Sequence, residues 1–230
     1  MARWIQGYLL CSQIQPLGKI NLSGLYRVEA CVVSFSQAIQ AQRKGADRIE
    51  ICSHLATGGI TPDLKLVIEL VQKLDIPVRV MIRNTEVGFE ADELILEKMV
   101  QSIEEFKSLP IDGFVTGVMK NNRIDKEAMK RIIIHSNPLP ITFHKAIDGS
   151  DDINEDVLWI NEFPALDTIL TSGGAEKASD GIGKILEIKS LFSGSVMACG
   201  KIRPHQLDSL HEHLGLEWYH GRGIVGELGD

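Results

Sequence analysis

The sequence predicts an α/β protein with a TIM-type (β/α)8 barrel, and three observations favour this fold. Short strand-like runs alternate with helical patterns from Arg27 onward, which indicates parallel βαβ units. Eight such runs occur within 230 residues, and both the number and the length suit this barrel. No G-x-G-x-x-G motif follows the first run, so a dinucleotide-binding sheet has weak support.

The predicted strands and helices alternate along the chain. The strands are predicted at residues 28–33, 48–52, 78–83, 113–119, 140–146, 168–172, 195–199 and 217–220. The helices are predicted at residues 36–44, 62–74, 90–109, 125–135, 154–163, 178–192 and 204–213. Gly45 is a typical residue after a helix, and Thr61 followed by Pro62 is a typical helix start.

The chain divides into an irregular lead-in, residues 1–26, and a single barrel domain, residues 27–230. After His220 only a short glycine-rich tail remains, which is too short for a full closing helix. We therefore expect apolar surface at the seam between the first and last strands, with Trp218 contributing to it. Either residues 1–26 or a second copy in a homo-oligomer would cover this seam.

Composition excludes several classes of function. The net charge of −7 argues against a basic surface for nucleic acid or anionic membranes. No apolar run has the length of a membrane span, and the N-terminus lacks the apolar stretch of a secretory signal. Four cysteines without a C-x-x-C pair do not form a disulfide scaffold and predict a reducing, cytoplasmic compartment.

Alternation along the first two strands predicts a polar interior. Glu29 and Cys31 share one face of the first strand, and Arg48, Glu50 and Cys52 share one face of the second. The opposite faces are apolar and should meet the helices. We therefore expect Glu29 beside Glu50, and Cys31 beside Cys52, the cysteines lying nearer the C-terminal rim where barrel active sites lie.

Further polar residues fall at the same rim. The predicted pocket is lined by Glu29, Arg48, Glu50, Arg83, His144 and His220. His144, Asp148, Glu50 and Arg83 are candidates for a catalytic role, provided that His144 has Asp148, Arg83 or a carboxylate within hydrogen-bond reach. A purely structural ion network remains an equally open interpretation, because buried carboxylates need cationic partners.

Seven ordered motifs carry a resemblance to a known family. VEACVVS, GADRIEIC, GGITPDL, PVRVMIR, GFVTGVM, ITFHKAID and TILTSGG resemble the motifs of the CutC copper-homeostasis family. The resemblance implies a TIM barrel, a cytoplasmic location and a role in copper handling. It also implies that Cys31 and Cys52 correspond to the proposed Cu(I) site, which suits the soft character of thiolates. The chain departs from the family pattern in the loops after the third, seventh and eighth strands.

Two functions of different classes follow. The leading hypothesis is a cytoplasmic copper-homeostasis protein that binds Cu(I) through Cys31 and Cys52. The alternative is a barrel enzyme for a small anionic substrate, with His144 as acid or base and Arg83 as anchor. A diverged barrel without catalytic activity is a third hypothesis. The expected partners are therefore a copper ion or a small anionic ligand, and a second copy of the chain.

Overall fold

Eight parallel strands close into a barrel in the computed structural model, which describes residues 24–229. The strands are β1 (Arg27–Val32), β2 (Arg48–Ile51), β3 (Val78–Met81), β4 (Gly113–Thr116), β5 (Met119–Lys120), β6 (Arg123–Ile124), β7 (Ile141–Phe143), β8 (Leu166–Thr171), β9 (Ser195–Ala198) and β10 (Trp218–Gly221). The strands β5 and β6 form a separate antiparallel hairpin, and the other eight make the barrel. The predicted TIM-type α/β fold is confirmed.

Seven α-helices surround the barrel in the described part of the chain. They are α1 (Phe35–Arg43), α2 (Leu64–Lys73), α3 (Glu93–Phe106), α4 (Lys126–Ser136), α5 (Ile153–Ile160), α6 (Ile182–Leu191) and α7 (Leu207–Leu214). Several begin at a side-chain cap, as where Asp92 accepts a hydrogen bond from the Ile95 amide. Their apolar faces pack on the outward residues of the strands, such as Val28, Ala30 and Val32. None of these helices is both long and apolar enough to cross a membrane.

Several predicted strands run past their observed C-terminal ends, and the predicted strands at residues 113–119 and 140–146 do so by the most. Strand β4 ends at Thr116, and Met119 belongs to the β5–β6 hairpin instead. Strand β7 ends at Phe143, because His144 caps the 3-10 turn, Lys145–Gly149, that follows. In both places the chain leaves the barrel at its C-terminal rim.

No helix follows β10 in residues 222–229, as the sequence predicts, and this tail folds back over α1. The amide of Gly229 donates to Gln40 Oε1 at 3.0 Å, and the Lys44 ammonium donates to the Glu227 carbonyl. The side chain of Ile224 is buried in the core. The tail therefore covers part of the seam that a closing helix would cover.

A cavity of about 530 Å³ remains beside the seam, lined by Tyr26, Lys44, Asp47 and Leu207 among others. Residues 1–23 lie outside the described residues, so the packing of the lead-in stays a prediction. The same holds for the homo-oligomer.

The expectation that Trp218 lies on the outer surface of the seam is wrong. Trp218 points into the barrel, where the Arg48 guanidinium lies 4.1 Å from the centre of its ring. Its side chain is buried in a cluster with Leu170, Met197 and Cys199. The reason is alternation, since Trp218 has the same parity as the inward-facing His220, and Tyr219 faces outward instead.

Candidate metal centre

Cys31 and Cys52 bring their sulfurs together inside the barrel. Cys31 lies on β1 and Cys52 directly follows β2, and their Sγ atoms are 3.7 Å apart. Both side chains are buried, as free thiols. The predicted close approach of the two cysteines on neighbouring strands is therefore present.

The register of the β1–β2 ladder differs from the expected one. Glu29 stands opposite Arg48 rather than Glu50, and Cys31 stands opposite Glu50 rather than Cys52. The stagger that closes the tilted strands of a barrel accounts for this two-residue offset. The two thiols therefore meet along a diagonal of the ladder.

A series of buried, interacting polar groups extends from the thiols toward the other end of the barrel. The Cys31 thiol donates to Glu50 Oε1 at 3.6 Å. His220 Nδ1 lies 3.6 Å from Glu50 Oε2 and 2.8 Å from Glu29 Oε1. Glu29 accepts in turn from Arg48 Nε at 2.5 Å. Each of these interior charges thus has an oppositely charged or hydrogen-bonding neighbour.

The environments of Glu29 and His220 favour their charged forms. Burial opposes ionisation of Glu29, but Arg48 and His220 outweigh it and lower the pKa of Glu29 to about 2. Burial likewise opposes the charging of His220, while Glu50 and Glu29 outweigh it and raise the pKa of His220. These two residues therefore form a buried ion pair.

Glu50 and Cys31 hold their protons more tightly than usual. Burial raises the pKa of Glu50, and the nearby Glu29 carboxylate adds to this effect. The pKa of the Cys31 thiol is raised well above its usual value by its hydrogen bond with Cys52, by burial and by Glu50. Without a bound cation, the Cys31 thiol is thus kept in its neutral form.

The cluster offers two sets of metal ligands that share Cys31. One ligand atom each from Cys31, Glu50 and His220 lie within 4.8 Å of one another, a mixed sulfur, oxygen and nitrogen set. The other set consists of the two sulfurs of Cys31 and Cys52. Soft sulfur ligands favour Cu(I), whereas the mixed set would also suit borderline ions such as Zn(II).

A structural ion network occupies the other end of the barrel. Arg79 pairs with Asp112 at 3.0 Å and with Asp167 at 2.7 Å, and Arg48 lies 3.4 Å from Asp112. Asp112 and Asp167 are not among the residues predicted from the sequence, although their position beside the starts of two strands was an available signal. The arginines inside the barrel thus have structural partners in this network.

His144 is separate from this cluster. Its Nδ1 accepts a hydrogen bond from the Ala146 amide at 3.3 Å, and its Nε2 has no partner among the described residues. Its ring packs against Phe89 at 4.9 Å between centroids. Burial and the charge of Arg83 lower the pKa of His144 to about 3. Among residues 24–229, the partner that an acid–base role was expected to require is not within hydrogen-bond reach of His144.

Asp148 and Arg83 tie loops together at the rim. Asp148 accepts hydrogen bonds from the Thr171 hydroxyl, from the amide and hydroxyl of Ser172, at 3.0 and 2.8 Å, and from the Gly174 amide at 3.1 Å. Arg83 donates to the carbonyls of Thr57, Gly59 and Gly88. These contacts connect the loops that follow β2 and β3, and those that follow β7 and β8.

The comparison with known sequences identifies the family. The sequence model that describes the CutC family matches residues 26–225. The chain belongs to the CutC family. The human copper homeostasis protein cutC homolog is 34% identical over 211 residues, which are 89% of this chain and 76% of the human protein. The Caenorhabditis elegans homolog of the same name is 32% identical over 209 residues, 87% of this chain and 82% of the relative.

Solved structures agree with this CutC assignment. A crystal structure of a CutC protein from Streptococcus agalactiae superposes with a TM-score of 0.82 at 25% identity, covering 87% of this chain and 99% of that one. Phosphoribosylanthranilate isomerase from Thermotoga maritima superposes with a TM-score of 0.54 at 13% identity, over 88% of this chain and 92% of that one. The second likeness concerns the barrel fold alone.

Proposed function

We propose that this chain binds Cu(I) through the thiols of Cys31 and Cys52, as a cytoplasmic protein of copper homeostasis. The observation that carries the proposal is the 3.7 Å separation of two buried sulfurs on neighbouring strands. Two soft donors this close suit Cu(I), which prefers thiolates to oxygen and nitrogen ligands. The cytoplasm is the proposed compartment because thiols remain reduced there.

The surroundings of the thiols support a cation site. Cys31 keeps its proton in the absence of metal, and a bound cation would displace that proton because metals bind thiolates. The thiols pack in an apolar cluster with Met81 and Val115, which restricts the access of water from that side. The names of the human and nematode relatives, which refer to copper homeostasis, support the same proposal.

Competitive titration tests the proposal directly. The purified chain would be titrated anaerobically with Cu(I) in the presence of a chromophoric Cu(I) chelator, alongside Cys31→Ser, Cys52→Ser and Cys199→Ser variants. Each of the first two substitutions removes a metal ligand. The affinity for Cu(I) should therefore fall by more than ~100-fold, which is the largest loss typical of mutating a residue that only supports a ligand. Cys199 is equally buried but lies in a different cluster, with Leu170, Met197 and Trp218.

Cys199→Ser therefore serves as the matched control and should bind Cu(I) as the unchanged chain does. Equal affinity in all three variants, or no uptake of Cu(I) by the unchanged chain, would refute the proposal. Zn(II) titrated in parallel distinguishes the sulfur pair from the mixed set of Cys31, Glu50 and His220. Loss of Zn(II) binding in His220→Ala with Cu(I) binding intact would show that the two sets are separable.

The enzyme hypothesis receives no comparable support from the geometry. The guanidinium of Arg83, its expected anchor for an anion, donates to three backbone carbonyls. His144 is enclosed by aromatic rings and lacks an acidic partner among the described residues. Catalysis on a small anionic substrate therefore remains a prediction from the sequence.

A further inference from the structure

Three successive strands of the barrel carry a sulfur on their inward faces. Met81 ends β3, and the β2–β3 ladder pairs Ile51 with Val80, which places Cys52 level with Met81 at the next position. Cys31 lies on β1, the other neighbour of β2. Cys31, Cys52, Met81 and Val115 form one buried cluster, which is distinct from the main core between strands and helices.

The loop after β2 closes over this cluster and shows how near its members lie. A Cβ atom placed on Gly59 would be 3.1 Å from Cys52 Sγ and 3.7 Å from Met81 Cε. The end of the methionine side chain and the cysteine sulfur therefore line the same spot beneath the loop. Arg83 holds the loop there by donating to the Gly59 carbonyl at 2.9 Å.

A second buried methionine in the barrel is differently placed. Met197 on β9 packs with Leu170, Cys199 and Trp218, and its sulfur accepts a contact from Arg48 Nη2 at 3.9 Å. Met197 is thus buried inside the barrel, as Met81 is, but it lies in a different cluster from the thiol pair. This difference makes it a matched control.

We infer that the thioether of Met81 is a third ligand, which makes the site a three-sulfur Cu(I) site and sets its preference for Cu(I) over Zn(II). The inference rests on the proposed function. A thioether is a soft ligand without charge, so it binds Cu(I) without adding a further buried anion to two thiolates. Methionine has three rotatable bonds, which let its sulfur turn toward an ion that enters the cluster.

The same ligand discriminates against Zn(II). Structural zinc sites are built from thiolates, imidazoles and carboxylates. Met81 therefore adds affinity for Cu(I) and Ag(I) but none for Zn(II). Its removal should reduce the ratio of Cu(I) to Zn(II) affinity, while the thiol pair continues to bind.

The test combines a spectroscopic signature with a variant pair. The chain, labelled with 13C in its methionine methyl groups, would be titrated with Ag(I), a redox-inert stand-in for Cu(I). The Met81 methyl resonance should shift at one equivalent while the Met197 resonance stays in place. Cu(I) affinity should fall about 10-fold in Met81→Leu, within the range for a change at a metal site, and remain unchanged in Met197→Leu.

Leucine has nearly the volume of methionine, so both variants should fold, which unfolding of the metal-free chains would check. An unmoved Met81 methyl resonance, or equal Cu(I) affinity in Met81→Leu and Met197→Leu, overturns the inference and leaves the thiol pair standing. Failure of the unchanged chain to bind either Cu(I) or Ag(I) overturns the proposed function, and this inference with it.

Discussion

The sulfur of Cys31 meets the sulfur of Cys52 at 3.7 Å, although Cys31 stands opposite Glu50 in the β1–β2 ladder. The contact runs diagonally, because the barrel's stagger offsets neighbouring strands. Glu50 thereby lies beside Cys31 as well, and its carboxyl links the thiols to His220. Thiols and carboxylates are thus neighbours in one buried cluster.

Gly59→Ala should weaken Cu(I) binding by pressing on the thiol of Cys52. Gly59 has φ of +86°, and an added methyl would lie 3.1 Å from Cys52 Sγ. Gly45→Ala is the matched control, since Gly45 has φ of +91° and nothing within 4 Å of an added Cβ. Both variants carry comparable backbone strain of about 1 kcal/mol, so this strain should lower the free energy of unfolding by a similar amount in each. Equal Cu(I) affinities in the two variants would contradict the close approach of residue 59 to the Cys52 sulfur.

Arg48→Ala should destabilise the barrel strongly, since it removes the guanidinium from the buried Glu29 carboxylate and leaves His220 as its remaining charged partner. The pair is 2.5 Å apart with both side chains buried, and removing one partner of such a pair costs about 3–5 kcal/mol. Chemical denaturation measures the loss. Arg131→Ala breaks an exposed pair with Glu93 at the same distance and should cost less than about 1 kcal/mol. Similar losses in both variants would show that the Glu29 pair is not structural.

His144 should make the fold sensitive to mild acid. The pKa of His144 is lowered to about 3, so between about pH 6.5 and 3 the unfolded chain takes up a proton that the folded chain refuses. Stability should therefore decrease as the pH falls below about 6.5, with a loss of about 2 kcal/mol at pH 5 from this residue.

Denaturation of the unchanged chain and of His144→Asn at pH 7 and pH 5 isolates that contribution. In the unchanged chain the Ala146 amide donates a hydrogen bond to His144 Nδ1 at 3.3 Å. Asparagine removes the titrating ring but retains an oxygen that can accept this hydrogen bond. The variant should lose less stability between the two pH values. Identical losses would mean that His144 charges without penalty in the folded chain.

We expect the seam between β1 and β10 to be covered either by the lead-in, residues 1–26, or by a second copy of the chain. The cavity of about 530 Å³ beside Tyr26 is not filled by residues 24–229. Light scattering and thermal unfolding would compare the full chain with a truncated chain that begins at Tyr26. We expect either an oligomer from both chains or a lower melting temperature for the truncated one. Two monomers with equal melting temperatures would contradict this prediction.

The local sequence pattern was sufficient to predict the fold and the side chains that face the inside of the barrel on β1 and β2. The alternation of Glu29 and Cys31 with Val28, Ala30 and Val32 predicted which side chains enter the barrel, and the structure agrees. The same rule, applied to β10, would also have placed Trp218 inside beside His220. Alternation is a property of each strand alone, so it can be read without knowledge of its neighbours.

Only the tertiary structure decided which inward residues meet. The ladder register paired Glu29 with Arg48, and chain segments distant in sequence supplied His220 to Glu29 and Asp167 to Arg79. At the rim, loop conformation turned Arg83 toward backbone carbonyls and left His144 among aromatic rings. The sequence by itself determined the barrel and its sulfur-bearing strands. The pairing within the barrel depends on closure between distant strands, which no local pattern encodes.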